Sequence, residues 1–154
     1  MESARGALMG RFLDCNYNDR EVVKDIVLTK FNKFSEIKAH KVTIELHSLE
    51  DQVRISLYRK EEPLCFFAFT AFPNNFTIAV STSTFVYPRF RNLGVGTALQ
   101  KVKKKVCKAL DIQMLLATVN VTNESEIHIL KKHGWKIAGR TNTVYLFSKT
   151  IKTK

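Results

Sequence analysis

Val86-Tyr87-Pro88-Arg89-Phe90-Arg91-Asn92-Leu93-Gly94-Val95-Gly96-Thr97 is the stretch that decides how this chain folds. It lies between a strand-like run, residues 76–86, and an amphipathic helix expected over 97–110. Leu93-Gly94-Val95-Gly96 brings several backbone N–H groups together with little side chain around them. Glycine suits a backbone that must turn tightly or approach a ligand. The helix N-terminus adds partial positive charge, so the loop is suited to a pyrophosphate.

Two familiar phosphate loops do not fit. A mononucleotide loop needs Lys-Ser or Lys-Thr after its second glycine, and here Thr97-Ala98 follows. The dinucleotide fingerprint needs a third glycine, where Leu99 stands, and an acid about 20 residues on, where Met114-Leu115-Leu116 stands. What remains is Arg91-x-x-Gly94-x-Gly96, with Pro88 three residues before the arginine and a strand before that.

Beyond the loop, Leu99, Val102, Val106 and Leu110 form one apolar stripe, and Lys101, Lys104, Lys105 and Lys108 form the opposite, solvated face. Residues 112–119 are a nearly continuous apolar run, read as a strand buried on both faces and parallel to the strand before the loop. Strand, loop, helix and strand make a βαβ unit. Asn123 is placed to cap a further helix, with Glu126 as its reciprocal partner, and Gly134 ends that helix after His133. Residues 135–137 and 143–148 read as two closing strands that turn near Gly139-Arg140, and residues 149–154 as a loose basic tail.

Before the loop the hydrophobic period is two. Residues 42–46, 53–58, 64–72 and 76–86 read as an antiparallel meander with turns at Glu50-Asp51, Glu61-Glu62-Pro63 and Pro73-Asn74-Asn75. Val23, Val27, Phe31 and Phe34 recur at helical spacing, so a helix is expected over 19–37. Residues 1–13 are apolar and read as a short first strand or a frayed end. No linker, repeat or composition break divides the chain, so residues 1–154 read as a single domain.

The net charge of +11 points to an acidic macromolecule or a polyphosphate cofactor, with a lysine-rich solvated surface as the plain alternative. Cys15, Cys65 and Cys107 are odd in number and lack metal spacing, and read as reduced thiols of an intracellular protein. His40, His47, His128 and His133 form no ligand pair, so no metal site is expected. No run approaches membrane-span length and no signal-peptide pattern opens the chain, which together give a cytoplasmic reading.

The element order and two motifs resemble the GNAT (general N-acetyltransferase) superfamily. One motif is Arg91-x-x-Gly94-x-Gly96. The other is Asn123 followed by a helix that ends in Gly134-Trp135. The resemblance implies an α/β fold with a mixed, mostly antiparallel central sheet, helices on both faces, and two strands splayed around a CoA site. It implies acetyl-CoA as cosubstrate. Backbone groups of Phe85 and Val86 would pair with the pantetheine arm, with the Val86 amide polarising the thioester carbonyl. Backbone N–H groups of Arg91, Asn92, Leu93, Gly94, Val95 and Gly96 would hold the pyrophosphate, and Thr97 would add its hydroxyl. Asn123 would face the pantetheine or thiol end.

The implied chemistry is attack of a primary amine on the thioester. It needs a base, an oxyanion donor and often an acid for the departing thiolate. The family's tyrosine acid falls at Leu130, which cannot donate a proton, and residues 76–86 contain no glutamate base. Ser81, Ser83, Tyr87, Asn120 and His128 are polar alternatives, none of them specific, so the catalytic residues stay unassigned. His128 reads more readily as a surface residue. Loss of one general acid or base costs about 10²–10⁴ in rate.

Two functions follow. The first is an N-acetyltransferase whose amine is carried on something acidic, such as a protein lysine or N-terminus, or a tRNA-linked amino acid. A polyamine or aminoglycoside acceptor is disfavoured by long-range repulsion, although Glu45, Glu50, Asp51, Glu61 and Glu62 offer local acidic groups. The second is a catalytically weak or inactive GNAT-like module that binds nucleic acid or an acidic protein through its basic surface. Nucleic acid and a second copy of the chain stay open as partners.

Overall fold

The computed structural model describes residues 17–31, 41–47, 52–73, 75 and 77–151. Its elements in chain order are α1 (Tyr17–Phe31), β1 (Lys41–His47), β2 (Gln52–Arg59), β3 (Glu62–Ala71), β4 (Ile78–Val86), a 3-10 turn (Pro88–Phe90), α2 (Val95–Ala109), β5 (Met114–Asn120), α3 (Glu124–Lys132), β6 (Lys136–Arg140) and β7 (Val144–Thr150). The expected first strand, Phe34 and the far end of the first helix lie outside the described residues. So do Cys15, His40, Glu50 and Asp51.

Among the described residues the strands form one seven-stranded sheet in the order β1-β2-β3-β4-β5-β7-β6. Every neighbouring pair is antiparallel except β4 and β5, which are parallel because α2 carries the chain back across. The meander forms as the period-two pattern requires. Val53, Ile55 and Leu57 on β2 and Phe67 and Phe69 on β3 are buried. The expected turn at 61–63 tightens to Lys60-Glu61, so Pro63 falls at the second position of β3, where a missing N–H costs little. α1 buries Val23, Val27 and Phe31 at four-residue spacing and packs on α2 and β1.

Several features differ from the pattern the sequence predicts. α2 starts at Val95, not Thr97, because Gly94 takes a left-handed conformation (φ 86°) and turns the chain directly into the helix. β5 starts at Met114; Ile112 instead closes the end of α2, its N–H donating to Cys107 O at 2.8 Å while Asp111 takes φ 59°. β5 is not buried on both faces. Leu115, Ala117 and Val119 are buried, but Thr118 and Asn120 are exposed, because β4 has already diverged from their side. The tail is not loose from residue 149. Lys149 and Thr150 pair with β5, and Ile151 is buried and donates its N–H to Gln113 O. The closing turn correspondingly sits at 141–143, beyond Gly139-Arg140.

The single core runs between the sheet and the helices, and Leu99, Val102 and Val106 of α2 lie fully inside it.

Candidate functional site

The site is the gap where two strands part. β4 and β5 pair only at Ile78–Met114, Ala79–Leu115 and Val80–Leu116. Past that point β4 stays with β3 and β5 stays with β7. Thr82 is the extra residue of a bulge, since Phe69 opposes Ser81 while Ala68 opposes Ser83. A cavity of about 890 Å³ opens between the strands, within the range of pockets that hold a cofactor.

Strand alternation fixes what β4 offers to this gap. Tyr87 N–H donates to Leu64 O on β3, so the Val86 amide one residue earlier faces the opposite side, toward β5. Its carbonyl is already engaged, because Arg91 Nε donates to Val86 O at 2.8 Å. That bond folds the arginine back over the loop and sets its guanidinium 5.2 Å from the Phe85 ring centroid.

The loop gathers donors at one end of the cavity. Pro88–Phe90 form the 3-10 turn, Phe90 is buried as an anchor, and Arg91 N–H returns to Pro88 O at 3.2 Å. Asn92 and Gly94 both take positive φ, 64° and 86°. No side chain caps α2 and no acid stands in its first turn, so the N–H groups of Val95, Gly96 and Thr97 have no carbonyl a turn before them. A Cβ built on Gly94 or Gly96 would meet nothing within 4 Å. Together these features make an electropositive cradle with room for an anion.

Ten residues carried the expected cofactor site. Phe85, Val86, Arg91, Asn92, Gly94, Val95, Gly96, Thr97 and Asn123 all line the cavity, and Leu93 does not: it is exposed on the outer side of the loop. The Arg91 amide differs from the expectation as well, being engaged with Pro88. Asn123 lines the cavity and caps α3, its Oδ1 accepting from Glu126 N at 3.2 Å, so its amide NH₂ is not used by the cap. The reciprocal half of the capping box is not made, since Asn123 N–H donates to Asn120 O.

The polar alternatives separate. Ser81 and Asn120 line the cavity, and Asn120 Oδ1 accepts from the Thr122 backbone and hydroxyl. Tyr87 lies outside it in an aromatic cluster with Phe66 and Phe85. His128 is exposed on α3. Leu130 is buried, lines the cavity and accepts the Trp135 backbone N–H through its carbonyl, so the position where the resemblance implies a tyrosine acid presents an aliphatic side chain.

One polar group was missed. Lys103 on α2 is buried, lines the cavity and donates to Thr84 Oγ1 at 2.5 Å and Ser81 Oγ at 3.4 Å. Burial pushes its pKa down to about 8, against the opposing charges of Glu126 and Cys107. Gln100, Lys103 and Cys107 do share one row of α2 at helical spacing, but nothing in that row separates Lys103 from the exposed lysines around it.

No protein-family model matches this sequence, and no curated protein matches it. Solved structures do match in shape. The PaiA N-acetyltransferase of Thermoplasma acidophilum, solved with coenzyme A, aligns over 67% of this chain and 63% of its own, with 16% identity and a TM-score of 0.58. A GNAT family acetyltransferase of Elizabethkingia anophelis, with acetyl-CoA bound, aligns over 66% and 78%, with 14% identity and a TM-score of 0.60. Ard1 of Thermoplasma volcanium aligns over 84% and 93%, with 18% identity and a TM-score of 0.55. The fold of this chain is the GNAT fold, and against the first of these neighbours the match spans less than two thirds of the neighbour's length.

Proposed function

We propose that this chain is an acetyl-CoA-dependent N-acetyltransferase that moves an acetyl group to a primary amine. The observation that carries this is one cavity with the uncapped start of α2 at one end and the inward-facing Val86 amide on its wall. Such an arrangement suits a ligand with a pyrophosphate and an extended, strand-like arm. Two of the structural neighbours hold CoA or acetyl-CoA, which supports the same ligand here. The residues present fit it. Val95, Gly96 and Thr97 would bind phosphate oxygens through their N–H groups, Arg91 would add charge, and Asn123 would donate to the arm. Bound acetyl-CoA supplies an activated acyl group, and Val86 N–H is the oxyanion donor.

The acceptor is an amine carried on an acidic macromolecule: a protein lysine, a protein N-terminus, or an aminoacyl group on tRNA. The charge of +11 supports this. The charge is also concentrated. Partial burial, and then the charges of Lys132, Lys149 and Lys101, hold the His133 pKa below its ordinary value, so α2, α3 and β7 bring their lysines to one surface. That surface, with Leu130 in place of the acid, favours the second reading, a weakly catalytic module that binds an anionic partner.

Calorimetry with acetyl-CoA tests the first reading, with a Gly96→Val protein as control. Binding lost in the variant supports the site, and thiol release with amine acceptors then tests turnover. At 100 times its dissociation constant the ligand raises stability by about 2.7 kcal/mol. Absence of binding removes the enzyme reading and leaves the second.

A further inference from the structure

Lys103 is the charged side chain that the sequence pattern least prepares for. A buried ammonium is costly unless hydrogen-bonded and paired. Here its bonds run to two hydroxyls on β4, Thr84 and Ser81, and among the described residues no carboxylate lies within ion-pair distance. The groups acting on it by charge are Glu126 on α3 and Cys107 one turn along α2.

Its position is specific. Thr84 is two residues, about 7 Å of extended strand, from Val86 and its inward N–H. Gly96 lies two turns earlier on the same helix as Lys103, and Leu130 lines the same cavity. The lysine therefore lies on the cavity wall against β4, on the side of Val86 away from the loop, toward which the arm of an extended ligand would run.

We propose that Lys103 is the proton-carrying catalytic residue of this cavity: its Nζ gives a proton to the sulphur that leaves when the acyl group passes to the amine, and takes back the proton that the amine nitrogen sheds. The proposal rests on the acetyl-CoA reading above. The N–C bond forms, the C–S bond breaks with its electron pair on sulphur, and one proton passes from nitrogen to sulphur by way of Nζ. The lysine ends the cycle charged, as it began. Ser81 and Thr84 hold the ammonium in place, and each hydroxyl can both accept and donate a proton. With a pKa of about 8, Lys103 lies close to an ordinary thiol at about 8.5, so its ammonium can stabilise the departing thiolate by charge and then protonate it.

The test reads the thiol of bound, unacetylated CoA through the ultraviolet absorbance of its thiolate as pH is raised. In the native protein this thiol should titrate about 1–3 units below free CoA, because an ammonium within reach favours the anion. With Lys103→Met or Lys103→Gln it should return to the free value while CoA still binds, and turnover should fall about 10²–10⁴-fold. A native complex whose thiol titrates like free CoA overturns the lysine assignment alone, and needs no variant to fold. Absence of CoA binding by calorimetry overturns the acetyl-CoA reading, and this proposal with it.

Discussion

The indole N–H of Trp135 donates to Gln100 Oε1 at 3.1 Å, and both side chains are buried. The bond ties the Gly-aromatic end of α3 to the second turn of α2, at the wall of the cavity that both residues line. It gives the Gly134-Trp135 pair a physical purpose. Gly134 at φ 86° turns the chain, and Trp135 then anchors it beside the helix that carries the loop.

Gln100→Leu should leave the buried indole N–H unsatisfied and lower stability by about 1–3 kcal/mol. Chemical denaturation followed by tryptophan fluorescence measures this directly, since Trp135 is the single tryptophan. An unchanged midpoint would mean that the indole finds another acceptor.

Gly96→Ala separates ligand binding from folding. Gly96 is in the first turn of α2, lies outside the positive-φ region, and has open space where its Cβ would be. Alanine there should raise stability by up to about 1 kcal/mol, yet weaken acetyl-CoA binding by occupying the cradle. Calorimetry and a thermal melt on one sample read the two effects, which should have opposite signs.

Leu130→Tyr should change turnover by less than about tenfold in the native background, because Lys103 already serves the thiolate. In a Lys103→Met background the same change should recover part of the lost rate, about 10-fold or more if a tyrosine can act as acid there. A large gain from Leu130→Tyr alone would show that the native site lacks a competent proton donor.

Stability should depend on pH through Lys103. Its folded pKa lies near 8 and its ordinary value is 10.5, so between these the unfolded chain holds more protons and stability rises with pH. The penalty of the buried charge is full below about 8 and is relieved as pH climbs toward 10.5. Cys65 and Cys107 act oppositely above 9, because burial pushes both thiols up to about 12 and only the unfolded chain ionises them. The rise should therefore be clearest between pH 8 and 9, and absent in Lys103→Met, as read from urea midpoints.

Much of this architecture is legible in the residues themselves. The period-two runs of β2 and β3, the caps at Asn123 and Gly134, and the glycines of the loop each act locally, so local rules find them. What escaped depends on partners far along the chain. The end of β7 is ordered because Thr150 and Ser148 meet Met114 and Leu116 of β5. Thr118 and Asn120 are open because β4 has turned away, which no pattern within β5 encodes. Lys103 resembles the exposed lysines around it; only the hydroxyls of Thr84 and Ser81, 19 and 22 residues earlier, make its burial tolerable.

The short β4–β5 pairing has a mechanical consequence. Four strands, β1 to β4, form one plate and three, β5 to β7, form another, and the backbone seam between them is three residues long. Load applied across the sheet concentrates at Val80 and Leu116, like stress at the tip of a notch. A strand-like molecule seated in the notch, bonded to both plates, would turn them into a single stiff panel.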